Sequence, residues 1–359
     1  MKNMKKIIIG IVVLIIVVVL VVFNTQSDKE IKVGIVTPLT GDLAFWGEGT
    51  ILGAELAVKD LKKEGIDITV IAEDGGLDPK KALDAGQKLL NIDKVQAMFP
   101  EFNPAAIALS SLLKGKNVLE IYDAAPISPL EENPDTFKTY IDYTVGCREV
   151  AEYIKDKLEV KTVGILEMNT EYSQLCTNGV EQVFGDDIYR ETYNAGDQDL
   201  RTQLLRIGKH NPDAVFNASY SPENFTAIRN MHQLGMDNTY YVGASDTFPT
   251  NLVNDYKSQM DNKIIFGLPP VSQDFINKVK KEYRDKDIFA YEPVAIGYLH
   301  TMQMGRALHK CNLDVPCARK EISEVKGSDI IGFEGFENRI AKFEINISKW
   351  NGKEFETVK

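Results

Sequence analysis

The sequence predicts an α/β protein of two lobes, each a mostly parallel sheet flanked by helices, behind an N-terminal transmembrane anchor. Three observations carry this. From residue 31 onward, short β-branched runs alternate with segments of helical period, and the series then begins again in the second half. The strand-like runs are apolar on both faces, as in parallel sheets covered by helices on both sides. Finally, "MKNMKKIIIGIVVLIIVVVLVVF" sets lysines ahead of an unbroken apolar run.

Lys2, Lys5 and Lys6 precede the apolar run from Ile7 to Phe23. Its seventeen residues would span about 26 Å as a helix, near the lower limit for crossing a bilayer. The lysines would stay cytoplasmic, leaving everything after Phe23 outside. "VVFNTQSDKE" offers no small-residue cleavage site and no cysteine for a lipid, so an uncleaved anchor (7–23) is expected. Residues 1–6 would be a cytoplasmic stub and 24–30 a polar tether.

"IKVGIV" (31–36) is the first strand. A helix over 47–62 follows, with Ile51, Ala54, Val58 and Leu61 on one face. "IDITVIAE" is the second strand. "LDPKKALDAGQKLL" opens with Asp78 at the N-cap and Pro79 at the first helical position. "VQAMFP" is the third strand, and "NPAAIALSSLLKG" repeats the same start with Asn103 and Pro104. "NVLEIYDAAP" is the fourth. The second series runs through "TVGILE", a helix from about Tyr172, "DDIYRETYN", "DLRTQLLRIGKHNPD", "AVFNASY", "SPENFTAIRNMHQLG", "TYYVGAS" and "KIIFGLPP". Helices are expected over about 272–286, 291–310 and 317–326, and the tail reads as a terminal strand pair with an Asn-Gly turn.

The chain's 359 residues suffice for two domains. A net charge of −11 and a pI of about 5.1, with no basic stripe, argue against a nucleic-acid partner. The four cysteines suit an oxidising compartment. Cys311 and Cys317 bracket a turn and are expected to be bridged. Cys147 and Cys176, near two helix starts, form either a second bridge or buried thiols. Asn217, Asn224 and Asn346 each begin an Asn-X-Ser/Thr sequon.

Enzyme motifs fit poorly. Gly47, Gly49 and Gly53 give Gly-X-Gly-X-X-X-Gly, about ten residues after the strand; a dinucleotide fingerprint needs a shorter spacing immediately after it. No Gly-X-X-X-X-Gly-Lys-Ser/Thr loop, His-Glu-X-X-His pair or Gly-X-Ser-X-Gly elbow occurs. The four histidines are scattered, and neither a metal nor a cofactor is expected.

"IKVGIVTPLTGDLAFWGEGTILGAELAVKDL" resembles the start of the type I periplasmic solute-binding proteins, in particular the leucine/isoleucine/valine-binding group of ABC importers. "GLDPKKALDAGQKLL", "NPAAIALSS", "EYSQLCTNGVEQ", "SYSPENFTAIRNMHQLG", "AIGYLHTMQMGRAL" and "RIAKFEI" follow in the family's order over most of residues 31–350. The resemblance implies two α/β lobes joined by three hinge strands: 31–140 with 269–328, and 141–268 with 329–359. It implies a monomer, capturing a small ligand at the strand ends and passing it to permease and ATPase subunits, with no catalysis. A sensing subunit for a separate signalling partner is the alternative; a dinucleotide-dependent enzyme is less favoured.

Carried over position by position, the resemblance implies a ligand site at Trp46, Glu101, Asn103, Ala124, Pro126, Tyr172, Tyr220, Ser245, Asp246 and Glu292. Trp46 would be an aromatic lid, with Gly47 and Gly49 turning the chain into the helix. Tyr172 and Tyr220 would be aromatic walls on the second lobe. Ser245 or Asp246 would grip a ligand ammonium. The serine–threonine pair expected to hold a carboxylate is replaced by Asn103 and by Pro126 or Ile127, although Asn103 could still cap its helix. Glu101 and Asp123 stand nearby and would repel an anion. An amino acid or amide leads; cations and polyols stay open.

Overall fold

The structure is a computed structural model describing residues 30–359 apart from 42, 220, 246, 247 and 249. The expected stub, anchor and all but the end of the tether lie outside the described residues, as do Tyr220 and Asp246. Among the described residues no helix is long and apolar enough to cross a membrane.

The first sheet begins with β1 (Ile31–Thr37), α1 (Ala44–Lys63), β2 (Ile68–Asp74), α2 (Pro79–Lys88), β3 (Ala97–Pro100), α3 (Asn103–Leu113), β4 (Leu119–Tyr122), α4 (Ser128–Glu132) and β5 (Thr136–Lys138). The chain then builds α5 (Tyr143–Lys157), β6 (Val163–Met168), α6 (Glu171–Phe184), β7 (Ile188–Tyr193), α7 (Arg201–Gly208), β8 (Ala214–Phe216), α8 (Ser221–Gln233), β9 (Tyr240–Ala244), α9 (Thr250–Asp255) and β10 (Lys263–Gly267). It returns through α10 (Gln273–Glu282), α11 (Glu292–Lys310), α12 (Val315–Ser323), β11 (Lys326–Ser328), β12 (Phe333–Glu337) and β13 (Ile340–Phe343). It ends on β14 (Asn346–Trp350) and β15 (Phe355–Thr357).

The sheet orders are β11-β12-β13-β5-β4-β3-β1-β2 and β15-β14-β10-β9-β8-β6-β7. Both parallel cores therefore share one winding, β2-β1-β3-β4-β5 and β7-β6-β8-β9-β10, and each has a switch point where the strand order reverses. The chain crosses between sheets after β5, after β10 and after β13. The sequence reading gave residues 329–359 to the second lobe, whereas strand pairing puts β12 and β13 in the first sheet. The tail is accordingly not one strand pair. β12–β13 is a hairpin of the first sheet, and β14–β15 pairs at the edge of the second.

Each sheet carries its own apolar core, one around Val33, Phe99 and Ile121, the other around Val163, Phe216 and Ile264. Local signals behave as expected at Asp78, whose carboxylate caps α2 by accepting from Lys80 N (2.7 Å) and Lys81 N (3.0 Å). Both disulfides are formed, Cys147–Cys176 and Cys311–Cys317. Two of the sequon asparagines are structural. Asn217 and Asn224 are buried and joined through Tyr241 Oη, which receives a hydrogen bond from Asn217 Nδ2 (2.9 Å) and donates to Asn224 Oδ1 (2.5 Å). A glycan on either would have nowhere to go.

Gly47 and Gly49 have a different role from the one expected. They do not turn the chain into α1; they lie within it. A Cβ at Gly47 would stand 2.1 Å from the Pro38 carbonyl oxygen, and one at Gly53 2.0 Å from that of Val294 in α11. Gly297 of α11 meets the Thr50 carbonyl in the same way, at 2.1 Å. The pattern is helix-on-helix packing rather than a phosphate cradle. Gly53→Ala must push two backbones apart and should cost about 2–3 kcal/mol in urea unfolding. A cost under about 0.5 kcal/mol, typical of an indifferent surface change, would contradict this close approach.

Candidate functional site

Three strands of the first sheet end at one place. β1 leads to the loop before Trp46, β3 runs directly into Glu101, and β4 into Asp123, with Glu101 and Asp123 paired as an isolated parallel bridge. Phe102 takes a positive φ of 67°, and its N–H donates to the Asp123 carbonyl (2.9 Å). This strained turn holds the two acidic residues side by side beneath α1.

Glu101 is fully buried. Its Oε1 accepts from Trp46 Nε1 (3.0 Å) and Thr50 Oγ1 (2.9 Å), so the carboxyl fixes the indole through its N–H. Burial pushes the Glu101 carboxyl up to about 8; the Asp123 charge adds to this, and Thr37, Thr50 and Trp46 oppose it. Glu101 Oε2 and Thr37 Oγ1 both lack a partner among the described residues, although the hydroxyl stands beside the carboxyl. A single proton shared between these two oxygens, on either one, would satisfy both.

The facing wall comes from the crossing segments. Thr139, Tyr140, Ile141 and Tyr143 lie on the first, Gly267 and Leu268 on the second, and Ser245 follows β9. With Trp46, Asp123, Glu292 and Ile296 they line a narrow cleft, part of it open to solvent. The Tyr140 and Tyr143 rings stack with centroids 5.6 Å apart, and Tyr143 meets Tyr172 edge-on at 4.4 Å. A Cβ at Gly267 would fall 1.9 Å from Ser245 Oγ, so any larger residue there would displace that hydroxyl. Lys138 is buried behind the crossing; its ammonium donates to the Tyr140 carbonyl (2.8 Å), and burial lowers it to about 8.

Of the residues expected at the site, Trp46, Ser245 and Glu292 line the cleft, and Glu101 stands behind Trp46. Tyr172 is buried against Tyr143, one ring back from the lining. Ala124 and Pro126 are buried in the loop after β4 and do not line the cleft. Asn103 does not cap α3. It is the helix's first residue, behind Phe102, and its Oδ1 accepts from Ala125 N (3.2 Å). Tyr140, Tyr143, Thr139, Ile141, Gly267, Leu268 and Ile296 were missed, and Asp123 was weighed only as a neighbour. The legible signal was "YIDYTVG", aromatic residues around the Asp142 N-cap at a lobe crossing.

Aromatic faces, two carboxylates and a hydroxyl at the carboxyl ends of parallel strands can hold a small polar molecule. Among the described residues no group of three His, Cys, Asp or Glu could hold a metal ion.

A family model described as periplasmic binding protein matches residues 30–350. This chain belongs to the periplasmic binding proteins. Members are solute-binding proteins rather than enzymes, and the globular part is extracytoplasmic. The leucine-specific-binding protein of Salmonella typhimurium is 24% identical over 378 residues, covering 99% of both chains. A branched-chain amino acid binding protein from Streptococcus pneumoniae, solved with isoleucine, has a TM-score of 0.75 at 20% identity, covering 92% of this chain and 100% of that one. A solute binding protein from R. palustris, solved with 4-hydroxybenzoate, reaches 0.79 at 16% identity, covering 92% and 97%. One fold thus holds an aliphatic amino acid in one protein and an aromatic acid in another, so the cleft of this binding protein must be judged by its own side chains.

Proposed function

We propose that the protein is the extracytoplasmic solute-binding component of an ABC importer, capturing a small polar, nitrogen-bearing solute between its lobes. The observation that supports this most is the cleft itself. Its lining residues converge from both lobes at the ends of the parallel strands, where three crossings would let the lobes close. An amino acid or amide fits the kinship with leucine- and isoleucine-binding proteins. In this reading the closed form docks on a permease with its ATPase, residues 7–23 anchor the chain in the membrane, and the protein acts as a monomer. In the same reading, Trp46, Ser245 and Glu292 contact the ligand.

The test is a thermal-shift screen of the full chain in detergent against amino acids, amides, polyamines and sugars. For any hit, Trp46→Ala should weaken binding by about 10–100-fold, the loss of one aromatic and polar anchor in a closed site. Trp46→Phe, which keeps a ring, should lose less. Wild-type affinity in Trp46→Ala would place the ligand elsewhere.

A further inference from the structure

On the reading of the interlobe cleft as a solute site, we propose that its ligand is a small organic amine without a carboxylate, held as an ammonium between carboxylates and aromatic rings. Asp123 and Glu292 line the cleft with Trp46, Tyr140 and Tyr143, and its described lining contains no lysine, arginine or histidine. Carboxylates attract cations through charge-assisted hydrogen bonds, and ring faces attract them through their quadrupoles. The same surroundings disfavour an anion.

Three features that could seat a carboxylate at the strand-end side of the cleft are engaged or missing. Lys138 directs its ammonium into the Tyr140 carbonyl, behind the wall. Pro104, the second residue of α3, brings no N–H to that helix start. Asn103 Oδ1 takes the Ala125 N–H. After burial itself, the Asp123 charge is the main factor disfavouring ionisation of neighbouring Glu101, and a ligand carboxylate entering this space would meet the same repulsion. An α-amino acid would satisfy the acids with one end and oppose them with the other. Its decarboxylated or amidated counterpart keeps the favourable end.

Four probes of one skeleton separate these cases: isopentylamine, leucinamide, L-leucine and 4-methylpentanoate, titrated by calorimetry into the full chain in detergent. Isopentylamine and leucinamide should bind about tenfold or more tighter than leucine, a gap of about 1.4 kcal/mol or more, and 4-methylpentanoate should not bind. Asp123→Asn and Glu292→Gln should each weaken isopentylamine binding about tenfold, as loss of a charged partner does. Leucine or 4-methylpentanoate binding as tightly as the amine would overturn the amine assignment while leaving the solute site intact. Absence of binding by all four at millimolar concentration also overturns it, and the solute-site reading itself falls only if the broad screen is empty as well.

Discussion

Replacing both Cys147 and Cys176 with serine is expected to lower the unfolding free energy by about 3–4 kcal/mol, the chain-entropy value for a loop of this size. The bridge closes a sequence separation of 29, against 6 for Cys311–Cys317, whose loss should cost less. The larger bridge also bears on the cleft. Cys147 lies four residues after Tyr143 on α5, and Cys176 four after Tyr172 on α6, so the sulfurs join the helices one turn below the ring contact at 4.4 Å. Gly179 adds to the clamp, since a Cβ there would stand 2.3 Å from the Thr144 carbonyl. Ligand affinity should therefore fall several-fold in the double variant even well below its melting temperature. Urea unfolding with and without reductant, beside calorimetric titration of the folded variant, measures both effects. Unchanged affinity would reduce the bridge to a stabiliser, and a stability loss below about 1 kcal/mol would fall outside the range for native disulfides.

Glu101→Gln should change the dependence of stability on pH. The Glu101 carboxyl is raised to about 8 in the folded protein from an ordinary value of 4.5. Between those limits the folded state holds a proton that the unfolded state has released. Stability from this group is therefore greatest below about pH 4.5 and declines by up to about 1.4 kcal/mol per pH unit as pH rises toward 8. Glutamine keeps an oxygen for Trp46 and Thr50 and supplies N–H for Thr37 without titrating. The variant should match the wild type most closely in acid and gain on it steadily toward pH 8, after which the gap stays constant. Glu120, buried and raised to about 7, slopes the same way in both proteins and cancels in the difference. Indole fluorescence gives a second readout: wild-type emission should shift near pH 8 as a carboxylate forms beside Trp46 Nε1, and the variant should not shift. Parallel stability curves for the two proteins would show that Glu101 ionises as it does in the unfolded chain.

The alternation of strand and helix was legible because periodicity is local. Asp78–Pro79 marked a helix start from adjacent residues alone, and the lobe-forming runs from Ile31 and Val163 declared themselves by apolar residues on both faces. The cleft was legible only in part. Trp46, Ser245 and Glu292, which line it, entered through the family resemblance, whereas Tyr140 and Tyr143 sit on a lobe crossing whose local mark, aromatic residues flanking the Asp142 N-cap, does not by itself point to a ligand. The glycines of α1 misled because conformational freedom and close packing call for the same residue. The deciding neighbour of Gly53, Val294, lies more than two hundred residues along the chain.

By itself, the sequence determined the class of fold, its doubled organisation and the acidity of the chain, carried by short-range pattern and composition, and pointed to the family through a resemblance of its motifs in order. Only the tertiary structure decided that Asn103 is tied to Ala125, that Glu101 holds the Trp46 indole, and that β12 and β13 join the first sheet. Those outcomes depend on contacts between distant segments. Burial and unlike neighbours set the protonation of a carboxyl or the role of an amide there, and no window of adjacent residues contains them.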